Sequence, residues 1–128
     1  MLNRDGIQKS TLAATKQILA NVDLQSSVGC IVPKTLGVAV GSKKIAKAGT
    51  PIKINLLDLQ AVAEKADGET AMNAVLLHDV DVTEKNANGT ALVFGFVNVN
   101  RVDADVAAAI TAAVANEDAS TRLTFMKV

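Results

Sequence analysis

Tryptophan and tyrosine are absent and phenylalanine occurs three times, so surfaces that recognise their targets by stacking are close to excluded. Carbohydrate clefts, single-stranded nucleic acid platforms and interfaces anchored by aromatic hot spots all draw on those side chains. Cys30 stands alone, which leaves no partner for an internal disulfide, no cluster of thiolate metal ligands, and the expectation of a reducing compartment. His78 is the single histidine. Apolar runs are short: the longest, residues 106–114, is mostly alanine and falls well below the roughly 20 residues that span a bilayer. No cationic start followed by an apolar stretch and a small-residue cleavage site is seen. The expectation is a soluble chain that folds in cytosol.

What is present is aliphatic. Of 128 residues 49% are hydrophobic, and Ala, Val, Leu and Ile supply nearly all of them, which is enough for one core and one domain. Net charge is zero but unevenly spread. Residues 1–54 carry eight basic and two acidic side chains, +6, and the remainder five basic and eleven acidic, −6. Such asymmetry reads first as charged patches that meet within the fold, and it also suits head-to-tail contact between copies or a basic segment laid on an acidic partner.

The best-patterned stretch is residues 74–102. Leu76, His78, Val80 and Val82 share one parity and Leu77, Asp79 and Asp81 the other, the period-2 pattern of a strand with one wet face. Val97 and Val99 alternate in the same way with Asn98 and Asn100. Asn88-Gly89 lies between the two arms, and this dipeptide favours the positive φ of a tight turn. A hairpin turning at Asn88-Gly89 is therefore predicted, and it forms the centre of the domain.

Upstream, residues 10–20 are good helix formers with Ser10 or Thr11 as N-cap, so a weakly amphipathic helix is expected. Residues 26–37 read as a loop zone, followed by a short strand at 38–40 and a turn at Gly41-Ser42. Residues 43–47 alternate Lys44, Ile45, Ala46 and Lys47, as an edge strand guarded by lysines does. A turn follows at 48–51. Ile52, Ile54 and Leu56 share a strand parity, residues 57–65 read as a turn or two of helix, and residues 66–69 break it. Past the hairpin, Asp103 is the expected N-cap of an Ala-rich helix over 104–116, with Val102, Val106, Ile110 and Val114 as its apolar stripe. Leu123, Phe125 and Val128 mark a last strand.

Chemistry finds little purchase here. A Ser or Cys nucleophile would need His78 as its base, and His78 reads as a half-buried histidine hydrogen-bonded within a sheet. Asp79, Asp81 and Glu84 supply hard oxygen donors, but the EF-hand spacing is missing and a solvated acidic face is the simpler reading. Residues 37–43 have one residue too few between their glycines for a phosphate loop. Asn88-Gly89-Thr90 fits a glycosylation acceptor and is better explained by the turn. Scattered lysines without interleaved aromatics do not make a nucleic-acid surface. No enzyme, metal, cofactor, nucleic acid, membrane or small-molecule substrate is expected.

Three stretches carry a resemblance: Lys47-Ala-Gly-Thr-Pro51 before a short strand, Ala-Val-Leu-Leu-His-Asp-Val-Asp-Val over 74–82, and Val-Phe-Gly-Phe-Val-Asn-Val-Asn-Arg over 93–101 leading into the Ala-rich helix. Together, over about the last 85 residues, they resemble the head decoration proteins of tailed bacteriophages, the lambda-type capsid-stabilising proteins and the related head fibre bases. The resemblance implies an α+β, mostly β fold: a small β-clip-like domain over 36–128 with one Ala-rich helix. It also implies a partly helical or extended N-terminal arm over 1–35. It implies homotrimers on the threefold positions of an expanded icosahedral shell, bound to the major capsid protein, in a virion assembled from protein made in the host cytoplasm. The arm of that family adds a strand to a capsid sheet. Here the segment before Val38 is longer than a short Ser/Thr/Pro-rich arm. Its basic residues Arg4, Lys9 and Lys16, with Lys34, Lys43 and Lys44, are the candidate capsid contacts. The alternatives are the base of a head fibre or another virion connector and, third, a small enzyme in which His78 lines a pocket with Cys30 or a Ser hydroxyl.

Overall fold

The structure, a computed structural model, describes residues 17–21 and 24–128. In chain order its elements are β1 (Ser26–Val32), β2 (Val38–Val40), β3 (Lys43–Ala46), β4 (Pro51–Lys53), β5 (Glu64–Lys65), β6 (Ala74–Leu76), β7 (Val80–Asp81), β8 (Ala87–Asn98), α1 (Ala104–Val114) and β9 (Arg122–Met126). Short 3-10 turns precede β2 and follow β8. The domain is α+β and mostly β, as expected, with one α-helix among the described residues.

The main sheet runs β1-β8-β6-β4-β5, with β9 added to the second half of β8. Its pairs are antiparallel except β8 with β9. A parallel bridge joins Ile31 to Val62, and the Ala63 amide donates to the Ile31 carbonyl at 2.9 Å. The strand at the far edge is thus led back to β1, and the sheet curls towards a closed barrel.

Period-2 alternation divides the core into two clusters. Cys30, Val32, Ile52, Ala74, Leu76 and Ala91 point inwards and meet Leu36, Ala46 and Val82. Val75, Leu92 and Val97 point the other way and are covered by Val102, Val106, Ile110 and Ala113 of the helical segment. β6, only three residues long, is too short to stand alone, and burial on both faces is what holds it.

β8 is the spine. Over residues 87–94 it pairs with β1, at 91–92 with β6, and over 94–98 with β9. Near its middle Gly95 has φ 151°, a backbone that side chains rarely adopt, and a Cβ there would lie 3.3 Å from the Leu24 carbonyl. The ladder with β1 is irregular at the same level, between Ser26 and Ser27. Beyond it pairing resumes upstream: Leu19 bridges Val97, the Ala20 amide donates to Phe96 and the Asn98 amide to Ile18, both at 2.8 Å.

A second sheet, β2-β3-β7, caps the Val32 end of the barrel. Its hairpin turns at Gly41-Ser42 as predicted, with Val40 opposite Lys43.

Several expectations are corrected. Asn88-Gly89 is not a turn but lies within β8, opposite Ile31 and Cys30. A Cβ on Gly89 would sit 2.7 Å from Val32 and 3.1 Å from Val80, so the glycine serves close packing. The chain reverses at residues 82–86, where the Asp81 carboxylate accepts the Thr83 amide at 2.9 Å. The loop zone after residue 25 is the seven-residue β1, whose Val28, Cys30 and Val32 alternate inwards despite the two serines before them and Gly29 among them. β3 is the centre of its sheet, not an edge. Residues 57–65 form turns and β5 rather than helix. The helix predicted over 10–20 lies outside the described residues up to residue 16, and residues 18–20 are extended. On α1 the period-four stripe drifts off a 3.6-residue helix: Val114 is 53% exposed and Ala113 fully buried in its place.

Candidate functional site

The two ends of β8 gather different sets of residues. At the Ala87 end the Lys34 amide donates to the Asn86 side chain at 2.9 Å, and Gly37 lies so close to β3 that a Cβ would meet Lys44 Cβ at 2.9 Å. Lys34, Lys43 and Lys44 are all exposed there. Asp81, Glu84 and Lys85 share the rim of a shallow depression with Lys43, so this end is positive but not uniformly so. Val38 and Val40, 42% and 49% exposed, add apolar surface on β2. The sequence thus brings three of the six basic candidates together. Arg4, Lys9 and Lys16 lie outside the described residues; the described chain begins at Gln17, at the opposite end of β8.

At that end Asn98 is the buried polar residue, 5% exposed. Its Oδ1 accepts the Asn100 amide at 3.0 Å and the Val128 amide at 3.4 Å, and its own amide donates to Ile18. The Asn100 side chain donates to the Val128 carbonyl at 3.2 Å. One asparagine therefore ties the incoming and the outgoing chain to the end of β8. Sequence reading missed it, because an asparagine inside a Val-Asn-Val-Asn run looks like the wet face of a strand. Ile18 and Leu19 are buried in the outer cluster, and β1, within the region 1–35 expected to form an arm, is a strand of the main sheet.

The three stretches of resemblance pack on one another. The Lys47 ammonium lies 3.2 Å from both Asp103 and Asp105 at the start of α1, and these hydrogen bonds, Asp105 first, hold it above the usual lysine range. The Asp79 carboxylate accepts the Ala48 amide at 2.7 Å, and the Gly49 amide donates to Leu76 at 2.7 Å. Gly49, at φ 92°, is pressed against the helical segment, where a Cβ would stand 2.6 Å from Val102. No side chain but hydrogen fits there.

The residues singled out for chemistry are placed apart from a common site. His78 is half-buried at a bend just after β6, and its Nδ1 is buried without a hydrogen-bond partner among the described residues, in place of the sheet hydrogen bond expected. Cys30 is buried in the inner cluster, and that burial raises its thiol pKa. Asp79 and Asp81 are engaged by the Ala48 amide and by Thr83. No group of three metal-ligating side chains forms among the described residues.

One further feature is visible only in the structure. Leu57 is 99% and Leu56 57% exposed, on a turn fixed by Asn55, whose side chain accepts the Leu57 amide at 3.0 Å. Asn73 braces the strand before it, accepting from Ile54 at 2.9 Å and donating back at 2.8 Å. No family model matches the chain, and no curated protein is similar to it.

Proposed function

We propose that this protein is a structural virion component that binds the outside of an icosahedral phage capsid as a homotrimer and stabilises it by bridging major capsid protein subunits. The observation that carries the reading is that the three resembling stretches share one core cluster, to which they contribute Ala48, Val75, Leu77 and Val97, while the 47–51 turn is bonded to the 74–82 segment through Ala48 and Gly49 and to the start of the helix after the 93–101 segment through Lys47. Motifs scattered over the surface would be coincidental strands and turns. Motifs that share a contact are under one packing constraint.

A bridge needs two holds, and β8, twelve residues long, separates the lysine-rich hairpin sheet from the Leu19–Val97 bridge at its other end by up to about 40 Å. Each copy that binds only the assembled shell stabilises it by RT ln(1 + [L]/Kd), about 2.7 kcal/mol at a hundredfold excess over Kd. Many such modest contacts suffice, with no catalytic residue, cofactor, nucleic acid, membrane or small-molecule substrate. The test is to mix purified protein with expanded shells lacking it. Saturable, stoichiometric binding at threefold positions is expected, and failure to bind any shell of the host phage overturns the reading.

A further inference from the structure

β2 is an edge of the hairpin sheet, and no described strand pairs with it on the side away from β3. Which of its backbone groups face that side follows from β3. The Lys44 amide donates to the Thr83 hydroxyl and the Lys44 carbonyl accepts the Val82 amide, both at 2.9 Å, so Lys44 is turned towards β7. Ala39 stands opposite Lys44 across the hairpin. It is therefore at a position where the two strands exchange no hydrogen bond, and the Ala39 N–H and C=O point outwards. Val38 and Val40 flank it, 42% and 49% exposed. β2 carries no charge or proline of the kind that blunts an edge.

The surroundings of this edge are basic. Lys43 and Lys44 stand on β3 opposite Val40 and Ala39, and Lys34 is exposed on the 3-10 turn just before β2. At its Val38 end the edge opens on a groove of about 280 Å³, whose lining includes Lys65 and the buried Leu36 and Val106. Lys47 also reaches the groove, but its charge is met by Asp103 and Asp105. Asp81 lies beyond β3, on β7. An extended chain laid on β2 thus has free backbone partners, apolar neighbours in Val38 and Val40, and an excess of positive charge around it.

We infer that the outer edge of β2 receives an extended acidic segment of a partner chain, which pairs with the Ala39 N–H and C=O and sets its carboxylates against Lys34, Lys43 and Lys44. In such strand addition the backbone bonds give affinity, and the side chains and charges select the partner. Two copies joined edge to edge would instead bring the same lysines to both sides of the joint. That the partner is a capsid protein rests on the capsid reading, in which this sheet is one of the two holds; the strand pairing does not.

The probe is the peptide Glu-Val-Thr-Val-Glu-Val-Asp, blocked at both ends, titrated into the full chain and followed through the backbone amide resonances. Saturable shifts centred on Val38, Ala39 and Val40 are expected. Ala39→Pro should weaken binding about tenfold, through the lost hydrogen bond. Proline is tolerated at this place because the N–H it removes faces solvent. Lys44→Glu and added salt should each weaken binding as well, and circular dichroism checks that both variants stay folded. Absence of a saturable shift overturns the pairing, as does undiminished binding by folded Ala39→Pro. Equal binding of a peptide with glycine in place of each valine makes the site a charged patch and overturns strand addition. Equal binding of a peptide with lysine in place of each acidic residue overturns the acidic partner. Shifts at Ala39 that grow with protein concentration alone, alongside a larger sedimenting species, put a second copy on the edge and overturn it too. No shell enters the experiment, so a peptide that fails to bind leaves shell binding to its own test.

Discussion

The two ends of β8 are held by different means. At the Ala87 end the backbone ladder to β1 is continuous over Val32 to Ser27, and Gly89 lets Val32 and Val80 close over it. At the Asn98 end a shorter parallel ladder to β9 stops with Asn98 opposite Met126, and past it one amide oxygen takes the Asn100 and Val128 amides while the backbone holds Ile18. A ladder backed by packing fails only with the sheet. Beyond that ladder the Asn100 and Val128 amides depend on a single side chain, and they can be released while the sheet persists.

The largest blow should fall where the ends share a core. Leu92 is fully buried and pairs with both Ser27 and Val75. Leu92→Ala is expected to cost about 2–5 kcal/mol, read as a shift in the denaturant midpoint. Loss of protection at one end of β8 alone, by hydrogen exchange, would show that the ends do not share that core.

Gly89→Val comes next. The added side chain meets Val32 and Val80, and overpacking of this kind costs about 1–3 kcal/mol. Because the Ala87 end is bound into the sheet, the loss should appear as global unfolding. Exchange rates at Asn100 and Val128 that rise more than those in β6 would contradict the contrast between the ends.

Asn98→Ala tests the junction. Two amides lose their acceptor, a change worth about 1–3 kcal/mol for buried groups and nearer 1 here, where water can reach the chain ends. The Asn100 and Val128 amides should exchange faster while those of β1 and β6 hardly change. A uniform rise across the sheet would make Asn98 an ordinary core residue and remove the distinction.

How far the sequence foretold these ends follows from what each rests on. Local chemistry was legible: the Gly41-Ser42 hairpin turn, the 48–51 turn and the Ala-rich helix behind Asp103 each depend on residues within a few positions. So was the mostly β class, from period-2 alternation. β1 was not, because two serines and a glycine lower its strand propensity and only pairing with β8 outweighs that. Asn88-Gly89 carried the right turn signal in the wrong place, since the same missing Cβ that permits a turn permits Val32 to approach. Among the candidate site residues, Lys34, Lys43 and Lys44 were legible as basic, but their gathering at the Ala87 end of β8 depends on strand pairing between distant segments. Asn98 and the exposed Leu57 turn follow from burial, which no local pattern reports.

The smallest expected effect lies in the hairpin sheet at the Ala87 end. The Asp81 carboxylate is held below the usual range, first by the Thr83 hydroxyl at 2.6 Å, then by the Thr83 amide, with Lys43 adding attraction. A carboxyl whose folded pKa is depressed contributes stability above its unfolded pKa, near 3.9, and loses it as pH falls through the folded value. Asp81→Asn should therefore melt slightly below the wild type at neutral pH, with the gap closing below about pH 4. Added salt should narrow the gap at neutral pH, because the carboxylate is exposed and screened. Asp67, lowered by the Thr70 and Glu69 amides, remains in the variant, so acid sensitivity is reduced and not abolished. If the gap between the two melting curves is the same at neutral and acid pH, the Asp81–Thr83 contact acts by shape alone, and the reversal at residues 82–86 owes its stability to packing as the rest of that end does.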